Sequence, residues 1–297
     1  MHYMKEKIKE YLEWKGTYAK RACVNYRIWL ERLVEVYGEE KSLEDYTISD
    51  YIKFKCWLET RYNSYSLQFA TIVIKNFFQY CKYQNYPCNI SPTLIKLPRI
   101  IAKSHRAITE EEFEKIISGI QCKDFLGLRD LLLIQMLWDT GVRVSELCDL
   151  DLSQINERNN KAVISTKKTG KKRIIVWSSL THSLLLRYMK KRLVLKNAGN
   201  NTALFVGKNN GKGWSNRITS RTIQRIIKES VKNAGINERI TPHSFRHGWA
   251  HKRRDKNAPL SFIQRGLGHL NPVSTFIYEQ YNDVDFERTA TDYLKAA

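Results

Sequence analysis

The chain has 297 residues, 42% of them hydrophobic, and carries 50 Lys and Arg against 30 Asp and Glu, a formal net charge of +20. That apolar fraction supports a sizeable core and argues against disorder, and the length suits two domains of ordinary size. No run of 18 apolar residues occurs, which excludes a helical membrane span, and the opening MHYMKEKIKEYLEWKG lacks the apolar core of a signal peptide, so a cytoplasmic protein is expected.

The first hundred residues read as short helices. In YAKRACVNYRIWLERLVEVYG, Ala22, Tyr26, Trp29, Leu30, Leu33 and Tyr37 recur at helical spacing and Gly38 ends the pattern. SDYIKFKCWLETRY and SLQFATIVIKNFFQYCKYQNY repeat the theme, their aromatic stripes expected in the core and the intervening Lys and Arg suited to phosphate contacts. No βαβ alternation and no fixed-period repeat is present. PCNISPTLIKLPRIIAKSHRA then breaks the helical period with three prolines and a basic tail, which marks a linker. The expected division is a helical domain over 1–97, a basic linker over 98–107 and a second domain over 108–297.

The second domain opens at ITEEEFEKIISGI, where Thr109 and Glu112 have capping-box spacing. DFLGLRDLLLIQMLWDTG is a strongly apolar helix between Asp124 and Gly141. KAVISTKKTGKKRIIVW places β-type runs on both sides of a Thr-Gly turn and predicts a basic hairpin. The remainder is expected to be mainly helical, over 179–193, 219–234, 242–255, 259–266 and 272–281, with a final amphipathic helix over 283–297. The fold class is mainly α with a small β-hairpin or sheet.

The charge is unevenly placed. Residues 1–105 hold 17 basic against 11 acidic residues, whereas 167–256 hold 23 against three, Glu229, Glu238 and Asp255. Such an excess repels itself unless a polyanion neutralises it, and nucleic acid is the favoured partner. A membrane surface fits less well, because no helix joins a basic face to a large continuous apolar one. The six cysteines, Cys23, Cys56, Cys81, Cys88, Cys122 and Cys148, form no CxxC pair and read as reduced thiols.

Four local patterns carry chemistry together. TGVRVSEL sets Arg143 between two helices, with Glu146 three residues on, either buttressing it or lying as a surface charge. TPHSFRHGWAH sets His243 and Arg246 three apart, LGHLNPVSTFIY sets His269 nine residues before Tyr278, and TKKTGKKR offers lysines on a turn. Each alone has an ordinary structural explanation. Together, two arginines, two histidines, a lysine and a tyrosine supply what metal-independent attack on a phosphodiester requires. Guanidinium forks hold the non-bridging oxygens, a phenol attacks once an imidazole and cations ease its proton away, and an ammonium protonates the departing oxygen.

At these motifs the chain resembles the tyrosine recombinase (phage integrase) family over nearly its whole length. TGVRVSEL resembles the family's first arginine box, HSFRH its His-x-x-Arg box, and LGH followed nine residues later by Tyr its nucleophile box; size and compactness are closest to Xer-type recombinases and small mobile-element integrases. The resemblance implies a SAM-like core-binding domain and a catalytic domain that clamp duplex DNA. It implies that Arg143 and Arg246 hold the scissile phosphate, His243 exchanges a proton with the nucleophile, His269 hydrogen-bonds the phosphate, and Tyr278 attacks to form a 3′-phosphotyrosyl link. Tyr281 lies beyond the family spacing. The hairpin lysine selected is Lys168, with Lys167 and Lys171 as alternatives. Trp249 stands where the family usually has a smaller residue. No metal and no cofactor are implied; the partners are duplex recombination sites and three further copies on DNA, with a monomer or dimer off DNA, in the nucleoid. A type IB topoisomerase-like relaxing enzyme and a catalytically silent DNA-binding relative are the alternative readings.

Overall fold

In the computed structural model, residues 3–100, 106–166, 170–195, 201–209 and 213–278 are described. Chain contacts divide it into two units, Met1–Lys103 and Ser104–Ala297.

The first unit is built on three helices. α1 spans Met4–Tyr37, with a break at Ala19 (φ −139°, ψ 48°) just after Gly16 and Thr17, and it ends at Gly38. Gly16 weakens the helix there, and the Thr17 hydroxyl donates to the Trp14 carbonyl, a local bond that competes with the helical ladder. α2, Ile48–Glu59, starts on a reciprocal Thr47–Asp50 capping box, and α3, Ser64–Tyr83, starts on the Asn63 side chain. The aromatic stripes are core as expected: Tyr11, Tyr46, Phe54, Phe77 and Phe78 are almost fully buried, and the Tyr11 ring meets the edge of Phe77 at 5.7 Å.

The second unit is organised around a central helix. α4 spans Glu110–Ser118 and carries the Thr109–Glu112 capping box. α5 spans Phe125–Thr140, is apolar on nearly every side, and takes its start from the Asp124 carboxylate, which accepts from Gly127 N. Gly141 closes it in the left-handed region (φ 60°), where a side chain would be strained. The short α6, Val144–Asp149, follows at once. Then come β1 (Ile155–Asn156), β2 (Lys161–Ser165) and β3 (Lys172–Val176), one antiparallel sheet in the order β1-β2-β3. The register pairs Ala162 with Ile175 and Ile164 with Arg173, so those four side chains share the core-facing side, while Val163, Ile174 and Val176 point outward.

α7 spans Ser179–Leu193, within the bounds the sequence predicts. A second antiparallel hairpin follows, β4 (Val206–Asn209) and β5 (Gly213–Arg217), in a stretch the sequence left among helices. Its strands are poor in β-branched and aromatic residues, so no β pattern marks them; the signal present is Asn210-Gly211 between them. α8 (Ser220–Asn233), α9 (Pro242–Arg254), α10 (Leu260–Leu267) and α11 (Val273–Phe276) complete the described residues, with Ile277 and Tyr278 in a turn rather than in a helix running to 281. The tail helix expected over 283–297 lies outside the described residues.

Candidate active site

The end of α5, the start of α6, the core side of β3, the middle of α9 and the loop after α10 meet in one place. Arg143 sits at the turn into α6. Its backbone N–H donates to Glu146 Oε2 (2.8 Å) and its Nη1 to Glu146 Oε1 (3.1 Å), while its side chain stays 32% exposed. Glu146 is buried and also receives Arg173 Nη1 (2.8 Å) and Nη2 (2.6 Å) from β3. Burial alone pushes the Glu146 carboxyl up, but the hydrogen bonds and charge of Arg173, followed by those of Arg143, reverse this and hold it down at about 2. The carboxylate stays ionised and fixes both guanidinium groups.

Arg246 lies on α9 and is only 4% exposed. Its Nη1 donates to Gly141 O (2.8 Å) and its Nη2 to Leu267 O (2.5 Å), the carbonyls that close α5 and α10. These negative ends of two helix dipoles make burial of the cation tolerable. Burial, reinforced by Arg143, lowers its pKa to about 9, so the group is protonated at neutral pH.

α10 ends at Gly268 in the left-handed region (φ 64°), which turns the chain so that His269 Nδ1 lies 2.9 Å from Thr275 Oγ1. Burial first, and then the charges of Arg246 and Arg143, lower the His269 pKa to about 4 and keep the ring neutral. Thr275 is fully buried and its carbonyl accepts from Tyr278 N (2.9 Å), so one residue ties His269 to the turn that carries the tyrosine.

Tyr278 is 2% exposed. Its hydroxyl lies 2.7 Å from His247 Nδ1, and the edge of His251 meets its ring at 5.5 Å. Burial raises the phenol to about 12, opposed by the charge of Arg246. Beneath it lies a small cluster of Trp249, Ala250, Ile263 and Leu267. Trp249 covers Gly141 and Gly266, and its Nε1 donates to Asp139 O (2.8 Å).

Of the residues singled out in the sequence, Arg143, Arg246, His269 and Tyr278 share this neighbourhood, while His243 is exposed on the first turn of α9. Lys167 and Lys168 lie outside the described residues, as does Tyr281; Lys171 is exposed beyond the hairpin turn. Sequence reasoning missed Arg173, His247 and Thr275. Arg173 was findable from strand alternation, since it shares a face with Ile175. Thr275 and His247 carried no comparable signal.

The phage integrase family model matches residues 106–286. The chain is 30% identical over 275 residues to tyrosine recombinase XerA of Pyrococcus horikoshii, covering 92% of this chain and 87% of the relative. It is 24% identical over 299 residues to tyrosine recombinase XerC of Histophilus somni, covering 100% and 97%. Among solved structures, the Tn1549 transposon integrase in complex with circular intermediate DNA matches with a TM-score of 0.78 at 18% identity, covering 98% of this chain and 99% of that one. XerH site-specific recombinase bound to palindromic difH substrate matches with a TM-score of 0.77 at 20% identity, covering 97% and 84%. These last two likenesses speak to the fold.

Proposed function

Since the chain belongs to the phage integrase family and is a site-specific tyrosine recombinase, a DNA strand-exchange enzyme, we propose that Arg143, Lys168, His243, Arg246, His269 and Tyr278 are its catalytic set. The observation that carries this is the convergence of two guanidinium groups, a neutral imidazole and a phenol around one carboxylate-braced point.

Arg143 and Arg246 take the non-bridging oxygens of the scissile phosphate. Arg143 is fixed through Glu146 and Arg246 through two backbone carbonyls, so neither reorganises as charge develops. His269, neutral and anchored at Nδ1 by Thr275, donates from Nε2 to a phosphate oxygen. His243, exposed on the first turn of α9, exchanges a proton with the nucleophile. Tyr278 Oη attacks phosphorus as the bond to the 5′ oxygen breaks, and Lys168 protonates that oxygen. The phosphotyrosyl ester retains the energy of the broken bond, so religation to a second strand needs no nucleotide hydrolysis, and paired exchanges pass through a Holliday junction.

Duplex DNA is the partner that the charge distribution and the DNA complexes of the structural relatives support. Assembly as a tetramer on paired sites, from a monomer or dimer off DNA, belongs to the same proposal, as does a cytoplasmic, nucleoid-associated location. No helix among the described residues is long and apolar enough to cross a membrane. The relatives are recombinases and integrases, which leaves the topoisomerase-like alternative without support.

The test is to trap the protein on DNA under denaturing conditions, sequence the attached strand and map the modified peptide. The phosphotyrosyl group should map to Tyr278, Tyr278→Phe should bind DNA without forming the adduct, and Tyr281→Phe should still form it. Loss of the adduct in Tyr281→Phe alone would overturn the assignment, and no adduct from the native chain would point to the silent relative.

A further inference from the structure

We propose that Thr275 is a positioning residue for the cleavage reaction: its buried hydroxyl donates to His269 Nδ1, holds the ring in one orientation and fixes it as the Nε2–H tautomer. The inference deepens the reading of His269 as a donor to the scissile phosphate and rests on it.

The backbone of His269 is fixed twice by Gln264. The His269 N–H donates to Gln264 O (3.1 Å), and the His269 carbonyl accepts from Gln264 Nε2 (3.3 Å). That leaves the ring itself free to turn, because rotation about the bond to an imidazole is soft and roughly two-fold. Thr275 removes this freedom. Its Oγ1 lies 2.9 Å from Nδ1, and the residue is fully buried. Thr275 is held in turn by Pro272, whose carbonyl accepts from Thr275 N (2.7 Å) and Phe276 N (3.1 Å). The β-branched side chain is stiff at χ1, so the hydroxyl is presented in one direction.

One placement of the hydrogens satisfies both groups. Among the described residues, His269 Nδ1 is the one partner of the Thr275 hydroxyl. With the ring hydrogen on Nδ1, that N–H donates to Oγ1 and the hydroxyl proton is left buried without an acceptor, which disfavours this tautomer about tenfold or more. An imidazolium fails in the same way, and burial, with the charges of Arg246 and Arg143, disfavours it further. With the hydrogen on Nε2, the hydroxyl donates to the Nδ1 lone pair. The Nε2–H, across the ring from Thr275, is then the donor left for a phosphate held by the two arginines. The Thr275 carbonyl meanwhile accepts from Tyr278 N (2.9 Å), so one residue sets both the ring of the phosphate donor and the backbone of the nucleophile.

The test uses the full chain with nitrogen-15 in its histidine rings, whose NMR shifts report which nitrogen carries a hydrogen. The signals of His269 are those lost in His269→Asn. At neutral pH the native chain should show a bare Nδ1 and a protonated Nε2; a protonated Nδ1 overturns the proposal. Thr275→Val keeps the shape and removes the hydroxyl, so the ring should become a mixture of tautomers, whereas Thr275→Ser should keep the native one. On the DNA site recovered from the trapped complex, under single-turnover conditions, Thr275→Val should form the adduct about tenfold more slowly, and Thr275→Ser should recover most of that loss. Thr275→Val should cost less than about twofold when added to His269→Ala, since both remove one interaction. An undiminished loss in that background, or a Thr275→Val chain as fast as native while His269→Ala is slow, overturns the positioning role. A His269→Ala chain that cleaves like the native one overturns the reading of His269 instead. Should Thr275→Val fail to fold, the native spectrum decides.

Discussion

Arg173 grips Glu146 through two hydrogen bonds, 2.8 Å from Nη1 to Oε1 and 2.6 Å from Nη2 to Oε2. The same guanidinium donates from Nε to Gly266 O (3.0 Å), near the end of α10. One side chain on the core face of β3 thereby joins the arginine turn, through Glu146, to the helix that leads into His269. The β2–β3 hairpin is anchored to the site by this residue.

Replacing Arg173 should therefore separate cleavage from binding. Arg173→Ala leaves a buried carboxylate with one partner and should cost about 3–5 kcal/mol of stability, measured by urea unfolding. Arg173→Lys restores charge but not the fork, and should fold while cleaving about tenfold or more slowly with DNA affinity nearly unchanged. Equal losses in cleavage and affinity would show that Arg173 serves DNA contact rather than site geometry.

Trp249 and Gly266 are fitted to one another, since a methyl group at 266 would run into the six-membered ring of the indole. Gly266→Ala should destabilise the protein by about 1–3 kcal/mol despite its better helix propensity. Trp249→Phe shortens the ring at that point, so the double variant should be more stable than the sum of the singles predicts. An additive double-mutant cycle would refute the coupling.

Acid should destabilise the fold in two stages. His269 is held below its ordinary value, at about 4, so its contribution is full above about pH 6.5 and is lost as pH falls toward 4. Glu146 is held at about 2, so its contribution is full above the ordinary carboxylate range and is lost as pH falls from there through 2. Thermal midpoints measured from pH 8 to 2 should show both limbs. His269→Asn should flatten the upper one, and Glu146→Gln, though less stable overall, the lower.

If Lys168 is the general acid, its loss matters because the 5′ alkoxide leaves poorly. Lys168→Ala should cleave normal DNA slowly and recover on a 5′-bridging phosphorothioate, whose sulfur leaves without a proton. Arg143→Ala should not recover, because charge on the non-bridging oxygens is untouched by the swap. Rescue of Lys167→Ala or Lys171→Ala in its place would move the role along the hairpin.

DNA binding should be steeply salt-dependent, given the 23 basic and three acidic residues of 167–256. If the first unit also contacts phosphates, a fragment of residues 106–297 should show a shallower slope of log K against log salt than the whole chain. Equal slopes would assign the phosphate contacts to the second unit.

Local chemistry made much of this protein legible in its sequence. Helical periodicity marked α7, capping spacing marked the Thr109–Glu112 start of α4, and Gly141 marked the end of α5, because each is decided by residues within a few positions of one another. The spacing of the arginine, His-x-x-Arg and nucleophile motifs carried the family in the same way. The polar β4–β5 hairpin escaped, since its strands lack the residues that announce a sheet. The family resemblance pointed to His243 as the tyrosine's partner. His243, His247 and His251 recur every four residues along one stripe of α9, and helical spacing alone does not say which of them meets the tyrosine. The choice belongs to α10 and the turn held by Thr275, which lay Tyr278, 31 residues downstream of His247, against the middle of that stripe. The partner is set by where two distant segments pack, and packing is a property of the folded chain.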